Sequence, residues 1–261
     1  MTTIISSLDR FTATHRKSKE LWEKSIKTSR GIHHDARFSP PFSIYTSHSQ
    51  GPRKWDVDGN EYIDYTMGHG SLILGHAHPT LVEAVSQQIS RGTHYGTENA
   101  LAVEWAELIC QLIPVAEKVE FVLTGTEADI MSVQIARAYT GRNKILKFSE
   151  QFFGWSDPLY VGVMRPYDKP LAGRLPPVTK DTVSNATVVI PCNDEVAMEQ
   201  ALARKDIAAL FLEGGGAHGG HIGMPPALVR KARKLTQENG TPLVIDEVIS
   251  GFRWLPGGYQ A

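Results

Sequence analysis

Short runs of polar, aromatic and glycine residues follow several apolar runs that are typical of buried strands. In the run Thr124-Gly125-Thr126, two hydroxyl groups flank a glycine, which lets a ligand approach the backbone closely. A helix is predicted to begin directly afterwards, and the free N–H groups of a helix start attract anions such as phosphate. The same residues also fit an ordinary strand-to-helix turn capped by threonine, so both interpretations stay open.

Carboxylates end two other predicted strands. Asp246 follows the apolar run PLVI, where a charged carboxylate costs free energy unless it is paired. A protonated heterocycle would serve as its partner, and so would a neighbouring arginine such as Arg253. Glu213 ends the run IAALFLE and begins a glycine-rich stretch that reaches His221. So many glycines indicate either close approach of the backbone to a ligand or a mobile loop.

An aromatic pair, Phe152 and Phe153, follows the apolar run KILKF. Aromatic side chains at the end of a strand either stack on a flat ring or pack in the core. The histidines of the chain lack the spacing of a metal site, and we expect no bound metal.

Apolar periodicity predicts the elements that must position these residues. Strands are expected at 119–124, 144–148, 186–191, 207–213 and 242–248, and helices at 127–139, 194–204 and 225–239. Strands that alternate with helices and are apolar almost throughout predict an α/β fold with a mostly parallel sheet and helices on both faces. Ligands of such sheets bind beyond the carboxyl ends of the strands, which is where the runs described above lie.

The earlier part of the chain follows another pattern. Residues 1–30 space their apolar side chains for one helical face, and the Pro- and Ser-rich stretch after them excludes a long helix. Alternating runs on both sides of Asp58-Gly59 predict a β-hairpin. Further helices are expected over 79–91 and 100–113, and a long loop over 152–183.

Composition excludes several function classes. The 261 residues contain 27 Lys and Arg against 28 Asp and Glu, which argues against a basic surface for nucleic acid or an anionic membrane. No apolar run is long enough to span a bilayer, the N-terminus lacks the pattern of a signal peptide, and two cysteines cannot form a disulfide framework. We therefore expect a cytoplasmic protein with no nucleic-acid or membrane partner.

Several longer motifs occur in an order that resembles a known family. They are DVDGNEYIDY (56–65), ILGHAHP (73–79), TGTEA (124–128), ARAYTGRNKI (136–145), FFGW (152–155) and DEVISGFR (246–253). Over essentially its whole length the chain resembles the class III, fold-type I, pyridoxal-phosphate aminotransferases, most of all the glutamate-1-semialdehyde aminomutase branch. The resemblance implies that residues 1–65 are the first part of a small α+β domain. It also implies a large α/β cofactor domain over 66–261 that is incomplete.

The resemblance implies pyridoxal 5′-phosphate as the cofactor, with pyridoxamine 5′-phosphate as its alternate form. The positions that match the family's cofactor-binding residues are Thr124, Gly125, Thr126, Phe152, Glu213, Asp246 and Val248. The first three match the phosphate site, and Phe152 and Val248 match the two faces of the ring. Asp246 matches the carboxylate that keeps the ring nitrogen protonated, so that the ring accepts electrons. Glu213 matches the glutamate of a Glu-Pro motif in which Gly214 replaces the proline.

Substrate contacts follow from the same resemblance. Arg37 matches the N-terminal arginine that grips a substrate carboxylate in aminomutase-like relatives, and it fits a surface loop equally well. His69 stands where such relatives often carry tryptophan and would face the substrate. The resemblance implies amino-group transfer on a small amino, keto or amino-aldehyde acid, between a small amino donor and a carbonyl acceptor, in a homodimer.

The Schiff-base lysine of the family, which lies after the strand-end aspartate, has no match in this chain. Only 15 residues follow Asp246, no lysine follows Lys234, and Lys144 and Lys147 are expected to flank the second strand. We therefore expect the N-terminal part of a longer enzyme, inactive alone. The alternative is a lysine-less relative that binds the cofactor as a sensor or partner subunit. An unrelated nucleotide-binding domain fits poorly, because GxGxxG is missing.

Overall fold

A computed structural model describes residues 6–29, 40–163, 186–215 and 223–260. Backbone contacts divide the chain into two units, Met1–Thr97 and Glu98–Ala261. Among the helices within these ranges, none has both the length and the apolar character needed to cross a bilayer.

The first unit begins with two helices rather than one. Helices α1 (Ser7–Thr14) and α2 (Arg16–Thr28) meet at His15, whose φ of −129° and ψ of 45° lie outside the helical region. The buried His15 ring hydrogen-bonds to the Phe11 carbonyl and to the Tyr62 hydroxyl, which holds the chain at this break. The single helical face expected for residues 1–30 is therefore wrong.

Three antiparallel strands follow in the order β1-β2-β3. They are β1 (Thr46–Gln50), β2 (Arg53–Asp56) and β3 (Glu61–Ile63). The hairpin predicted around Asp58-Gly59 is confirmed, and Gly59 has a φ of +91° in its turn. The sequence gives no sign of β1 because its residues, TSHSQ, are all polar. Helix α3 (Pro79–Ile89) begins at the predicted proline.

The second unit contains a parallel sheet with helices between its strands. The strands are β4 (Lys144–Phe148), β5 (Thr187–Ile190), β6 (Ile207–Glu213) and β7 (Leu243–Asp246). The helices are α4 (Ala100–Leu112), α5 (Gly125–Thr140), α6 (Asp157–Tyr160), α7 (Glu195–Ala203) and α8 (Pro226–Glu238). The strand order is β5-β4-β6-β7 with every pair parallel, which confirms the predicted sheet.

One predicted strand is wrong. Within the described ranges, residues 119–124 pair with no strand of the sheet, and Leu123 is 92% exposed. An extended segment becomes a strand only where a neighbour takes up its backbone hydrogen bonds. The apolar run instead supplies Phe121, whose ring stacks on Trp105 of α4 with centroids 4.4 Å apart.

Two apolar layers cover the sheet, one on each face. Leu146 and Phe148 of β4 pack with α7 and α8 in one layer. Ile145 of β4 and Phe211 of β6 pack with α5 in the other, and Val244 of β7 lies against it. The predicted cover of helices on both faces is therefore confirmed, and the alternation of side chains along each strand assigns every residue to a face.

The same alternation places three charged residues on the α5 face. Lys147, Glu213 and Asp246 each stand two residues beyond an apolar side chain of the α5 layer, at or next to the carboxyl end of the strand. Strand ends of adjacent parallel strands meet at one edge, so these three groups share a single region of the sheet.

Two motifs of the first unit meet at the buried carboxylate of Asp64. It accepts hydrogen bonds from His76 Nε2 at 2.8 Å and from the N–H groups of Thr66 and Met67, and it lies 3.4 Å from Lys54 Nζ. Burial alone would raise the pKa of Asp64, but these partners hold that pKa well below its usual range.

We expect Asp64→Asn to lower the free energy of unfolding by about 1–3 kcal/mol at pH 7, because it removes buried hydrogen bonds to a charge. A lowered carboxyl pKa stabilises the fold above the unfolded-state value, near 4, and this contribution is lost as the pH falls through the folded-state value. The difference between the two proteins should therefore shrink in acid. Urea unfolding at several pH values tests this, with the exposed Glu83→Gln in α3 as the control. A difference that stays constant from pH 7 to pH 3 contradicts the assignment.

Candidate functional site

Thr124 is the N-cap of α5. Its hydroxyl oxygen accepts a hydrogen bond from the Glu127 N–H at 3.2 Å, and the Glu127 carboxylate accepts one from the Thr124 N–H at 3.1 Å. The capped turn considered from the sequence is thus present. This turn can still bind an anion, because the N–H groups of Gly125 and Thr126 lie in the first turn of the helix, where no helix carbonyl is available to accept from them. The Thr124 hydroxyl accepts a bond through its oxygen and can still donate its hydrogen.

Glycines bring three segments of the second unit together at this helix start. A Cβ on Gly125 would lie 2.7 Å from Val248 Cγ2, and a Cβ on Gly154 would lie 2.8 Å from Thr126 Cα. Gly154 also has a φ of +80°, a left-handed conformation that other residues rarely adopt. The segments that follow β4 and β7 therefore touch the start of α5 at distances that a larger residue would prevent.

Phe152 is held by the end of β6. Its N–H donates to Glu213 Oε1 at 2.9 Å, and the Glu213 N–H donates to Gln151 Oε1 at 3.3 Å. The half-buried Phe152 ring meets Trp155 edge to face, with centroids 5.3 Å apart. Buried Glu213 thus fixes the backbone that presents this ring.

Phe153 has a different place from its neighbour. It is fully buried in the α5 layer and contacts Phe211 edge to face with centroids 5.5 Å apart. For this member of the aromatic pair, the core-packing interpretation is the correct one.

Lys147 does not flank its strand, contrary to the expectation from sequence. Its side chain is fully buried, and Nζ donates to the carbonyls of Gln151 at 2.8 Å and Leu159 at 2.6 Å. Burial lowers the pKa of Lys147 to about 7, although attraction to Glu213 and Asp129 opposes this shift. The buried amine thereby ties the aromatic segment after β4 to the sheet.

Asp246 ends β7 directly opposite Glu213 of β6. Its Oδ1 accepts the Val248 N–H at 2.7 Å, and its carboxyl group lies within hydrogen-bonding reach of the carboxyl group of Asp129. Burial raises the pKa of Asp246 to about 6; the bond from Val248 opposes this shift and the charge of Glu213 reinforces it.

Sequence reasoning missed Asp129. This residue lies one turn into α5 and is only 6% exposed. A signal for it exists in the sequence, because Asp129 precedes the buried Val133 and Ala136 by four and seven residues and so shares their helix face. An acidic residue on a buried face requires a partner.

Glu247 holds the segment that follows β7. Its carboxylate accepts hydrogen bonds from the N–H groups of Tyr259 at 2.6 Å and Gln260 at 3.2 Å. This segment packs so closely on Gly214 that a Cβ there would lie 2.7 Å from Ser250 Oγ. Glycine therefore fits this position, where the resemblance leads one to expect proline.

The two candidate substrate residues both belong to the first unit, Met1–Thr97. Arg37 lies outside the described residues, as do positions 216–222 of the glycine-rich stretch. His69 lies in the first unit, in an exposed turn with a φ of +59°. Its contact with a substrate stays a prediction.

Comparison with known proteins identifies the family. The sequence profile described as aminotransferase class-III matches residues 35–255. The chain belongs to the class-III aminotransferase family. This class-III chain is 40% identical over 247 residues to the glutamate-1-semialdehyde 2,1-aminomutase of Methanothermobacter thermautotrophicus, a match that covers 94% of the chain and 58% of that protein.

Solved structures agree with this family. The class-III chain matches an omega-transaminase from Sphaerobacter thermophilus with a TM-score of 0.87 and 30% identity, over 98% of this chain and 59% of that one. It matches a transaminase with PLP bound with a TM-score of 0.85 and 32% identity, over 94% of this chain and 58% of that one. The fold of the pyridoxal-phosphate transferases of fold type I is thereby confirmed. The chain spans less than two thirds of the length of these relatives.

The described residues fit pyridoxal phosphate. Its phosphate is an anion, and the start of α5 offers N–H and hydroxyl donors around a glycine whose missing Cβ leaves space. Its ring is flat, and Phe152 and the 58% exposed Val248 offer apolar surfaces to it. Its ring nitrogen is basic, and Asp246 offers a carboxylate that would hold the proton there.

The contact between Gly154 and Thr126 is tested by comparing two glycines. Gly141 has a φ of +66° and nothing within 4 Å of an added Cβ, whereas Gly154 meets Thr126. We expect Gly141→Ala to cost about 1–2 kcal/mol of unfolding free energy from backbone strain. Gly154→Ala should cost about 1–3 kcal/mol more, because it forces the start of α5 to move. Urea unfolding measures the loss of unfolding free energy in both variants. Equal losses would show that the contact between Gly154 and Thr126 does not contribute to stability.

Proposed function

We propose that this protein catalyses pyridoxal-phosphate-dependent amino-group transfer on a small amino, keto or amino-aldehyde acid. It acts either as an aminotransferase or as a glutamate-1-semialdehyde-type aminomutase. The observation that carries the proposal is Asp246, a half-buried carboxylate at the end of β7, two residues before Val248, which touches the start of α5. The relatives named above include both types of enzyme.

Bound pyridoxal phosphate supplies an electron sink for the carbon that carries the amino nitrogen. Thr124, Gly125 and Thr126 bind its phosphate through hydroxyl and N–H donors and the helix dipole. Phe152 and Val248 orient the ring from its two faces and exclude water. Asp246 holds a proton on the ring nitrogen.

The wider proposal concerns substrates and assembly. The residues named above would hold the cofactor in either its pyridoxal or its pyridoxamine form, which would supply amino-group chemistry for a small amino donor and a carbonyl acceptor. Arg37 binds a substrate carboxylate and His69 faces the substrate. The protein works as a homodimer in the cytoplasm. Composition and the family resemblance support these roles.

No lysine of the described residues is assigned the Schiff-base role. The amine of Lys147 is buried and donates to two backbone carbonyls. Lys231 is paired with Glu195 and Glu199 on the helix surface. We place the covalent lysine in sequence beyond Asp246, as the family resemblance implies, and outside residues 1–261.

Binding of pyridoxamine 5′-phosphate, followed by fluorescence titration, tests the role of Asp246. We expect Asp246→Asn to weaken binding by at least about tenfold, because a hydrogen bond to a charged group contributes roughly 1.5–3 kcal/mol. Asp157→Asn at the exposed start of α6 is the matched control and should bind like the wild type. Equal affinities of Asp246→Asn and wild type would remove Asp246 from the cofactor site.

Borohydride reduction separates the enzyme from a lysine-less binder. Reduction fixes a Schiff base as a stable pyridoxyl adduct on lysine. We expect intact-mass analysis of the purified protein to show this adduct on a chain heavier than residues 1–261. A protein of the mass of residues 1–261 that binds the cofactor without an adduct would instead support the sensor or partner-subunit alternative.

A further inference from the structure

Four ionisable side chains share the α5 side of the sheet edge. Lys147, Glu213 and Asp246 come from three adjacent strands, and Asp129 comes from the helix that covers them. Lys147 is fully buried, and Glu213 and Asp129 are each 6% exposed. One ammonium group therefore faces three carboxyl groups, of which only Asp246 is partly exposed, and unpaired charges are costly in such surroundings.

The contact between Asp129 and Asp246 decides how this imbalance is relieved. Their carboxyl groups lie within hydrogen-bonding reach of each other, at the edge where Asp246 stands opposite Glu213 of the neighbouring strand. Two ionised carboxylates have acceptors only, so a bond between them requires one proton. Asp246 already accepts the Val248 N–H on Oδ1, and a protonated cofactor nitrogen would form an ion pair with the same carboxylate.

We propose that Asp129 is a positioning residue that keeps this proton and donates it to Asp246, so that Asp246 stays ionised and correctly turned toward the cofactor ring. This inference rests on the proposed function. Asp129 touches neither substrate nor the reacting atoms and acts through Asp246 alone.

The surrounding charges agree with this assignment of the proton. Burial, followed by the charge of Asp246, raises the pKa of Asp129 to about 8, with Lys147 opposing and Glu213 adding to the shift. Glu247, next to Asp246 in sequence, adds a further negative charge that raises the pKa of Asp246. The pair titrates as a unit, and near neutral pH it holds one proton.

The first test measures that proton without any cofactor. A carboxyl pKa raised by folding means that the folded protein binds a proton that the unfolded chain releases, so stability falls as the pH rises from about 4 to about 8. Between pH 5 and pH 7, Asp129 should make the unfolding constant rise by close to tenfold for each pH unit. Asp246, whose pKa is also raised, adds a slope of the same sign below about pH 6, so the interval from pH 6 to pH 7 reports Asp129. Lys147, with its lowered pKa, acts with the opposite sign and above pH 7.

Asp129→Asn should remove most of this slope, because asparagine has no proton to lose and still donates to Asp246. Asp157→Asn is the control and should keep the wild-type slope. Urea unfolding of the purified cofactor-free protein at pH 5, 6 and 7 gives the three slopes. A slope in Asp129→Asn equal to that of the wild type overturns the proposal.

The second test measures affinity for pyridoxamine 5′-phosphate in the same variants. Asp129→Asn should bind within about threefold of the wild type, whereas Asp129→Ala should bind at least about tenfold more weakly, because a hydrogen bond to the charge of Asp246 is lost. Rescue by asparagine separates a donor role from a merely structural one. If Asp129→Ala does not fold, the pH slope of Asp129→Asn decides the matter.

The two proposals fail in different ways. Wild type and Asp246→Asn binding the cofactor equally would reject the proposed function. Strong wild-type binding that Asp129→Ala retains would reject the role of Asp129 and leave the proposed function intact.

Discussion

Four ionisable side chains of the second unit lie at a sheet edge that the fold largely shields from solvent. Parallel pairing brings the carboxyl ends of β4, β6 and β7 to one edge, and the alternation of side chains turns Lys147, Glu213 and Asp246 to the same face. Two carboxylates side by side repel each other there unless protons, an ammonium group or backbone N–H groups neutralise them. Much of the local structure supplies such partners. The buried amine of Lys147, the N–H of Phe152 on Glu213 and the N–H of Val248 on Asp246 all belong to this set.

Two glycines allow the segments that follow β4 and β7 to approach the start of α5 closely. Gly125 admits Val248, and Gly154 admits Thr126, at distances that leave no room for a side chain. The proposed binding of an anion at the helix start and of a ring beside it would therefore depend on the same contacts. A change of side-chain volume at Val248 would move the donors at Gly125 as well.

Much of this arrangement follows from the sequence. The strands β4, β5, β6 and β7 are visible in the sequence as apolar runs. Phe152, Glu213 and Asp246 stand at or after the carboxyl ends of these runs, and the structure brings them to one edge of the sheet. The error at residues 119–124 has a physical cause: an apolar run shows a tendency to be buried, whereas a strand also needs a partner. β1 escapes prediction for the opposite reason, since pairing with β2 fixes it although its residues are polar. The role of Asp129 is not predicted because helix periodicity shows which residues share a buried face but does not show which charged groups of the sheet lie opposite that face.

The buried amine of Lys147 also bears on chemical selectivity. An aldehyde condenses with any neutral amine that it can reach, and an amine that titrates near pH 7 is substantially neutral under ordinary conditions. Burial is itself the cause of this lowered pKa, so the neutral amine exists only where solvent does not reach it. Lys147 Nζ is fully enclosed and donates to two carbonyl oxygens, which withholds it from an aldehyde. A carbonyl compound at the sheet edge would therefore be left for an amine that can approach it.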